Sequence, residues 1–238
     1  MLSAPGSPAG APCGPTGATP GGDLGAPKTN IGVLVSGGGT NLQAIIDRIA
    51  DGTLNRCRIA VVISSRRGAY ALERAKAAGI PALCVQKKKF GTPEAFDGAL
   101  IAALRDYKVN LVVTAGYLTI FGQAVVDAFP DGIINVHPAL IPSFCGKGHY
   151  GLAPHIKALE YGVKVTGATT HFVSAETDAG PIIMQKAVKV ADGDTPEALQ
   201  KRVMEEAERE ILTESIRLFS EGRLTVSGRI VTVARPAP

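Results

Sequence analysis

The sequence predicts an α/β fold: a single domain with a mostly parallel sheet flanked by helices, followed by an antiparallel pair and a long C-terminal helix. Three observations predict it. From Ile31 onward, short apolar runs alternate with stretches whose apolar residues recur at helical spacing. Those runs are apolar throughout, as strands covered on both faces are, where one-sided strands alternate with polar residues. The chain of 238 residues, 45% hydrophobic and 19% charged, has enough apolar material for one full core and a tail besides.

The elements follow in order. Ile31–Ser36 is a short apolar strand, and Asn41–Ala50 carries apolar residues at helical spacing. Arg58–Ser64 is the second strand, with a helix at Ala69–Ala78. Pro81–Val85 is the third strand, and Glu94–Tyr107 the next helix. Leu111–Ala115 and Gly132–Val136 read as further strands. A helix near Pro154–Tyr161 precedes Val165–Val173 and Ile182–Val190, whose short linker suits antiparallel pairing. Thr195-Pro-Glu opens a long amphipathic helix to about Ser220, with Thr195 as N-cap and Pro196 at the first helical position. A short hairpin over Leu224–Val233 ends the pattern.

Residues 1–30 form an Ala/Pro/Gly/Ser-rich segment without periodicity, expected to be disordered, leaving 31–234 as the folded domain. The segment lacks the charged start and apolar run of a signal peptide and the arginines of a mitochondrial presequence. A start codon assigned upstream of the true one would also account for it. No apolar run approaches the roughly 20 residues of a membrane helix. The net charge of +4 is slight and its basic residues are scattered, apart from Arg66-Arg67 and Lys87-Lys88-Lys89. That pattern argues against nucleic acid and suits small anions. The cysteines, Cys13, Cys57, Cys84 and Cys145, follow no framework, which fits a reducing, cytoplasmic setting. Cys57 and Cys84 are expected to be buried as small hydrophobes.

Three loops carry the candidate chemistry. Ser36-Gly-Gly-Gly-Thr-Asn41 joins the first strand to the first helix, whose amino end aims N–H groups and positive dipole at an anion. A dinucleotide fingerprint would need glycine where Leu42 stands, and an acid where the second strand ends in Ser64-Ser-Arg-Arg67. The loop is therefore read as a single-phosphate site formed by Gly38, Gly39, Thr40 and Asn41, against the alternative of a plain glycine turn. Gly116-Tyr-Leu-Thr-Ile-Phe121 is an apolar strand-end loop suited to a flat heteroaromatic ligand, although core packing explains it equally well.

The third feature is Ile133-Ile-Asn-Val-His-Pro138 with Thr177-Asp-Ala-Gly-Pro181. Asn135 and His137 lie two apart on a strand and project to the same side, and Asp178 lies in a loop that can meet them. An amide, an imidazole and a carboxylate are the set that acyl transfer to an amine uses; the same residue types also cap strands and start turns. His149, His155, His171 and Cys145 match no zinc spacing, so no metal is expected. His171 is either a core histidine or a partner of the site.

Ser36–Gln43, Ala115-Gly-Tyr117, Asn135–Pro142, Gly167–Val173 and Asp178-Ala-Gly-Pro181, taken together and in this order, resemble the folate-dependent formyltransferases, specifically the phosphoribosylglycinamide formyltransferase family, over residues 31–234. The resemblance implies a Rossmann-like sheet. It also implies that the chain moves the formyl group of 10-formyltetrahydrofolate, a co-substrate, to the amine of glycinamide ribonucleotide in purine biosynthesis. By the same likeness Asn135, His137 and Asp178 match the catalytic trio, and Gly39, Thr40 and Asn41 the phosphate loop. Tyr117, Leu118, Thr119, Ile120 and Phe121, with Asn135, match the folate site. A protonated His137 would donate to the oxyanion beside Asn135, which predicts activity falling on the alkaline side.

Departures from the family pattern are specific. Pro93 and Thr119 stand where arginines are common, which passes anion contacts to Lys87, Lys88, Lys89 or another cation. Ala207 aligns with a substrate-contacting glutamate and has Glu206 and Glu208 on either side. The loop Ser143–Tyr150 is longer than usual, suits a lid, and carries Lys147 within reach of an anion. A formyltetrahydrofolate hydrolase is the enzymatic alternative, and a non-catalytic nucleotide-binding module is the alternative from another class. The assembly is expected to be a monomer or homodimer.

Overall fold

The computed structural model describes residues 29–235. The leader expected over 1–30 lies outside the described residues, save that Thr29 and Asn30 already belong to the first strand. The elements are β1 (Thr29–Val35), α1 (Thr40–Ala50), β2 (Cys57–Ser64), α2 (Tyr70–Ala77), β3 (Ala82–Cys84), α3 (Pro93–Asp106), β4 (Leu111–Thr114) and α4 (Gln123–Ala128). They continue with β5 (Ile133–His137), α5 (Ala153–Tyr161), β6 (Val165–Phe172), β7 (Ile182–Lys189), α6 (Pro196–Val203), α7 (Arg209–Ser220), β8 (Leu224–Ser227) and β9 (Ile230–Val233).

The nine strands among the described residues join one sheet in the order β3-β2-β1-β4-β5-β6-β7-β9-β8. The first five run parallel, β6 and β7 are antiparallel additions, and the β8–β9 hairpin attaches through a single parallel pair, Ile182 with Ile230. From β1 the chain steps outward to β2 and β3, then returns to the other side of β1 for β4. Connections therefore leave the carboxyl ends of β1 and β4 in opposite directions. In an open α/β sheet that divergence leaves a crevice, which is where ligands bind.

The pleat sends alternate residues of β1 to opposite faces. Ile31, Val33 and Val35 pack with Leu42 and Ile45 of α1 and with Leu212 and Ile216 of α7. Leu34, with Val112 of β4 and Ile133 of β5, packs on Phe96, Leu100 and Leu104 of α3 and Val125 of α4. Each such buried side chain stabilises the fold by about 1.5–3 kcal/mol relative to exposure. At Gly32 a Cβ would lie 2.6 Å from a Leu104 methyl and 3.1 Å from Val109, so a side chain there would push the end of Leu104 aside. The Thr195 cap read from sequence is present, accepting from the N–H of Ala198 at 3.2 Å, and Thr92 caps α3 in the same way, accepting from the N–H of Ala95 at 3.2 Å.

Four features differ from the sequence expectation. Helix α4 was not foreseen. It is six residues long, and the N–H of Gly122 at its start is held by the Asp97 carboxylate of α3, a tertiary contact that local pattern does not announce. Cys57 is buried, but Cys84 is exposed, because β3 pairs only with β2 and forms an edge of the sheet. The long C-terminal helix is divided by a π-helical turn at Met204–Glu208. Finally, β5 spans Ile133–His137, one residue later than the bounds read at Gly132–Val136, with His137 on the strand as its spacing from Asn135 implies.

Candidate active site

The carboxyl ends of β1, β4 and β5 open into a cavity of about 630 Å³. Its first wall is the glycine loop after β1. Gly39 is the N-cap of α1 and has a left-handed backbone (φ 72°); no side chain caps the helix, so its first-turn N–H groups stay available. A Cβ at Gly39 would fall 2.6 Å from the Cβ of Ala71, so glycine is required both by conformation and by space. Helix α2 braces the loop from behind. Ala71 donates its N–H to the Gly37 carbonyl (3.1 Å), and Arg74 donates to the Gly38 carbonyl (2.9 Å) and to Gln43 (2.9 Å).

The second wall holds the predicted trio, which the fold brings together. Antiparallel pairing puts Asn135 of β5 opposite His171 of β6, and His137 opposite Thr169. The amide nitrogen of Asn135 donates toward His171 Nε2 (3.1 Å) and Asp178 Oδ1 (3.4 Å), while its oxygen accepts from the Thr114 hydroxyl (2.6 Å). His171 Nδ1 lies 2.9 Å from the Phe172 carbonyl and donates to it, leaving Nε2 as the acceptor for Asn135. His137 Nε2 lies 3.0 Å from the Phe144 carbonyl, and its Nδ1 is 3.4 Å from Asp178 Oδ2. Asp178 itself has φ 55°, an unfavourable conformation for a residue with a side chain, and its Oδ2 accepts from the Gly146 N–H (2.9 Å).

The charges follow from these neighbours. Burial is the largest influence on His137 and pushes it below the ordinary imidazole value, against the opposing pull of Asp178 and the Phe144 carbonyl. The ring is therefore neutral at rest near pH 7, with Nε2 carrying the hydrogen. This departs from the imidazolium expected from sequence. Burial would raise Asp178, but the His171 ring 3.6 Å away, the His137 ring and the Gly146 N–H together hold it below its ordinary value. The pair is a neutral base resting against a fixed carboxylate. Such a pair is poised to take up a proton, because Asp178 stabilises the imidazolium that forms.

The third wall is the segment after β4. Leu118 donates its N–H to the Ser36 hydroxyl (2.9 Å), which lies 2.6 Å from the Ser65 hydroxyl. Leu118 and Ile120 are exposed apolar residues at the cavity rim, and Tyr117 to Phe121 all line it. Of the lysines expected to stand in for family arginines, Lys87 reaches this segment and donates to the Ile120 carbonyl (2.8 Å); Lys88 and Lys89 are exposed outside the lining. Pro93 simply occupies the first turn of α3.

The π-helical turn settles where the neighbouring glutamates point. Its extra residue sends Ala207 into the core with Leu199 and Val203, and turns Glu208 to the cavity, where its carboxyl accepts from the Asn41 amide (2.9 Å). Glu206 is exposed and away from the cavity. Burial raises Glu208 above its ordinary value despite the Asn41 bond. Two contributors were not read from sequence. Thr114 is a strand residue like its neighbours until β5 is placed beside it, and Arg74 is one of several arginines on helices. Only the register of β4 on β5 and the approach of α2 to the glycine loop reveal them. Among the described residues no cluster of His, Cys, Asp or Glu is arranged to hold a metal ion. His155 is fully buried outside the cavity, and burial pushes it down to about 4.

The sheet carries a glycine loop and an amide–imidazole–carboxylate cluster at its switch point, and residues 29–216 match the formyl transferase family; the chain belongs to that family. Its relatives narrow the class. It is 38% identical over 200 residues to the phosphoribosylglycinamide formyltransferase of Haemophilus influenzae, covering 84% of this chain and 91% of that protein. It is 39% identical over 199 residues to the trifunctional purine biosynthetic protein adenosine-3 of Gallus gallus, covering 84% of this chain but only 19% of that longer protein. Among crystal structures, glycinamide ribonucleotide transformylase 1 from Symbiobacterium toebii superposes with TM-score 0.82 at 48% identity, covering 87% of this chain and 94% of that one. A formyltetrahydrofolate deformylase from Pseudomonas syringae pv. tomato superposes with TM-score 0.76 at 27% identity, covering 87% and 66%.

Proposed function

We propose that residues 31–234 form a glycinamide ribonucleotide formyltransferase domain that takes its formyl group from 10-formyltetrahydrofolate, in purine biosynthesis. The observation that carries this reading is the convergence of Asn135, His137 and Asp178 with the open amino end of α1 in one cavity. The names and near-complete coverage of the Haemophilus and Symbiobacterium relatives support it. In this reading the N–H groups of Gly38 to Asn41 take the phosphate. The Tyr117–Phe121 segment takes the pterin along its apolar edge, and Glu208, through Asn41, flanks the nucleotide.

The amine nitrogen attacks the formyl carbon, and the carbonyl π electrons become an oxyanion. Asn135 donates an N–H to that oxygen as it develops. Removing one such donor typically lowers the rate by about 10²–10³. Neutral His137 accepts the proton shed by the amine, and Asp178 stabilises the resulting imidazolium. The C–N bond to the folate nitrogen then breaks, that nitrogen takes the proton from the His137 imidazolium, and the products are the N-formyl nucleotide and tetrahydrofolate. The free cysteines among the described residues support a reducing, cytoplasmic location.

The deformylase likeness favours one alternative, in which water replaces the amine and formate is released. Turnover of purified protein with 10-formyltetrahydrofolate, with and without glycinamide ribonucleotide, separates the two. Tetrahydrofolate release that depends on the nucleotide is the expected result. Equal release without it refutes transfer in favour of hydrolysis.

A further inference from the structure

The cavity has an unbalanced charge. Among the described residues that line it, Lys147 is the only lysine or arginine, against the carboxyl groups of Glu176, Asp178 and Glu208. A phosphate monoester brings close to two further negative charges at neutral pH. The glycine loop answers with N–H groups and a helix dipole, worth about half a charge. We infer that Lys147 is the counter-ion of the substrate phosphate, swung in from the loop between β5 and α5. This rests on the functional reading above.

The loop's attachments say which end of the cavity Lys147 serves. At one side Gly146 donates to Asp178 (2.9 Å); at the other the Gly151 carbonyl accepts from Gln200 of α6 (3.0 Å). Gln200, Met204 and Glu208 share one wall, and Glu208 holds Asn41 of the glycine loop (2.9 Å). The loop thus runs from the reacting centre toward the phosphate wall. On the opposite side, Lys87 is already bound to the Ile120 carbonyl behind the pterin segment.

Lys147 is also free to move. It is exposed and makes no hydrogen bond or ion pair among the described residues. The glycines on either side have φ 87° and 91°, and a Cβ at either would meet nothing within 4 Å. A lysine between two unencumbered glycines can reach an arriving anion without disturbing Gly146's bond to the catalytic carboxylate.

The test varies each substrate at saturating concentration of the other. Lys147→Met is expected to raise the KM for glycinamide ribonucleotide about tenfold to a hundredfold, the range for loss of a charge-assisted hydrogen bond. The KM for 10-formyltetrahydrofolate stays unchanged, kcat stays within about twofold, and Lys147→Arg recovers most of the nucleotide affinity. With glycinamide riboside, which lacks the phosphate, wild type and Lys147→Met give the same KM. A rise confined to the folate KM assigns the lysine to folate carboxylates and overturns the inference, as does an unchanged nucleotide KM in an otherwise active enzyme. A wild-type chain that does not use glycinamide ribonucleotide at all overturns the functional reading, and the inference with it.

Discussion

Replacing Thr114 with Val removes one hydroxyl from a buried strand position while keeping the β-branched shape. In the wild type that hydroxyl donates to the Asn135 amide oxygen at 2.6 Å and anchors that end of the amide. The opposite end is fixed by acceptors, His171 Nε2 at 3.1 Å and Asp178 Oδ1 at 3.4 Å. A flipped amide would turn its oxygen onto both of them, so the correct orientation survives the loss of Thr114. What is lost is one neutral hydrogen bond, about 0.5–1.5 kcal/mol, with an added penalty for an acceptor left unpaired, about 1–3 kcal/mol. Part of that falls on stability and part on the position of the donor during attack. We expect kcat to fall roughly 5- to 30-fold, taking about 1–2 kcal/mol at the transition state. Both KM values stay nearly constant, and Thr114→Ser restores most of the rate. Steady-state kinetics for the three proteins, with denaturant midpoints to show that each is folded, provide the assay. A folded Thr114→Val enzyme with wild-type kcat would refute the claim that this contact holds the Asn135 donor in position.

Other predictions follow from the same geometry. Burial lowers His137 while Asp178 raises it, so a reaction that needs the neutral ring loses rate as pH falls below the ordinary imidazole range. Asp178→Asn removes the raising influence, so its acid limb in kcat should move to lower pH while the rate drops about 10²–10⁴-fold. A limb that stays put or moves upward would count against the pairing. The substrate amine titrates in every variant, so the difference between the two profiles isolates His137. Gly39→Ala should destabilise the fold by at least about 1–2 kcal/mol from its left-handed backbone alone, with the clash on Ala71 added, and weaken nucleotide binding. A denaturant midpoint equal to wild type would show that the glycine is not required. Glu208 has a raised pKa in the fold, so the wild type loses stability as pH rises past the unfolded carboxyl value near 4.3. Glu208→Gln has no such group, and its stability relative to wild type should grow over that range. Parallel stability curves for the two proteins would contradict the burial argument.

The parallel half of the fold was legible because it needs little tertiary information. Runs such as Ile31–Val35 and Leu111–Val113 carry no polar side chain, as strands of a sheet covered on both sides do. Asn135 and His137 were legible as a pair because a strand has period two. Features that depend on contacts from distant elements were not. Helix α4 starts where Asp97 holds Gly122, the exposure of Cys84 follows from strand order, and the orientation of Glu208 follows from one extra residue in a helical turn. The resting charge of His137 is not legible in sequence for a related reason: the sequence names its partner Asp178 but not the burial that opposes it.

The most direct test of the account follows the formyl group itself. Wild-type protein and Asn135→Ala are mixed with 10-formyltetrahydrofolate labelled in the formyl carbon and with glycinamide ribonucleotide, and the label is traced by mass spectrometry. The account predicts that wild type delivers the label to the nucleotide amine with little free formate, and that Asn135→Ala does so about 10²–10³ times more slowly. Label recovered as formate in wild type, or delivered at the same rate by Asn135→Ala, would contradict it.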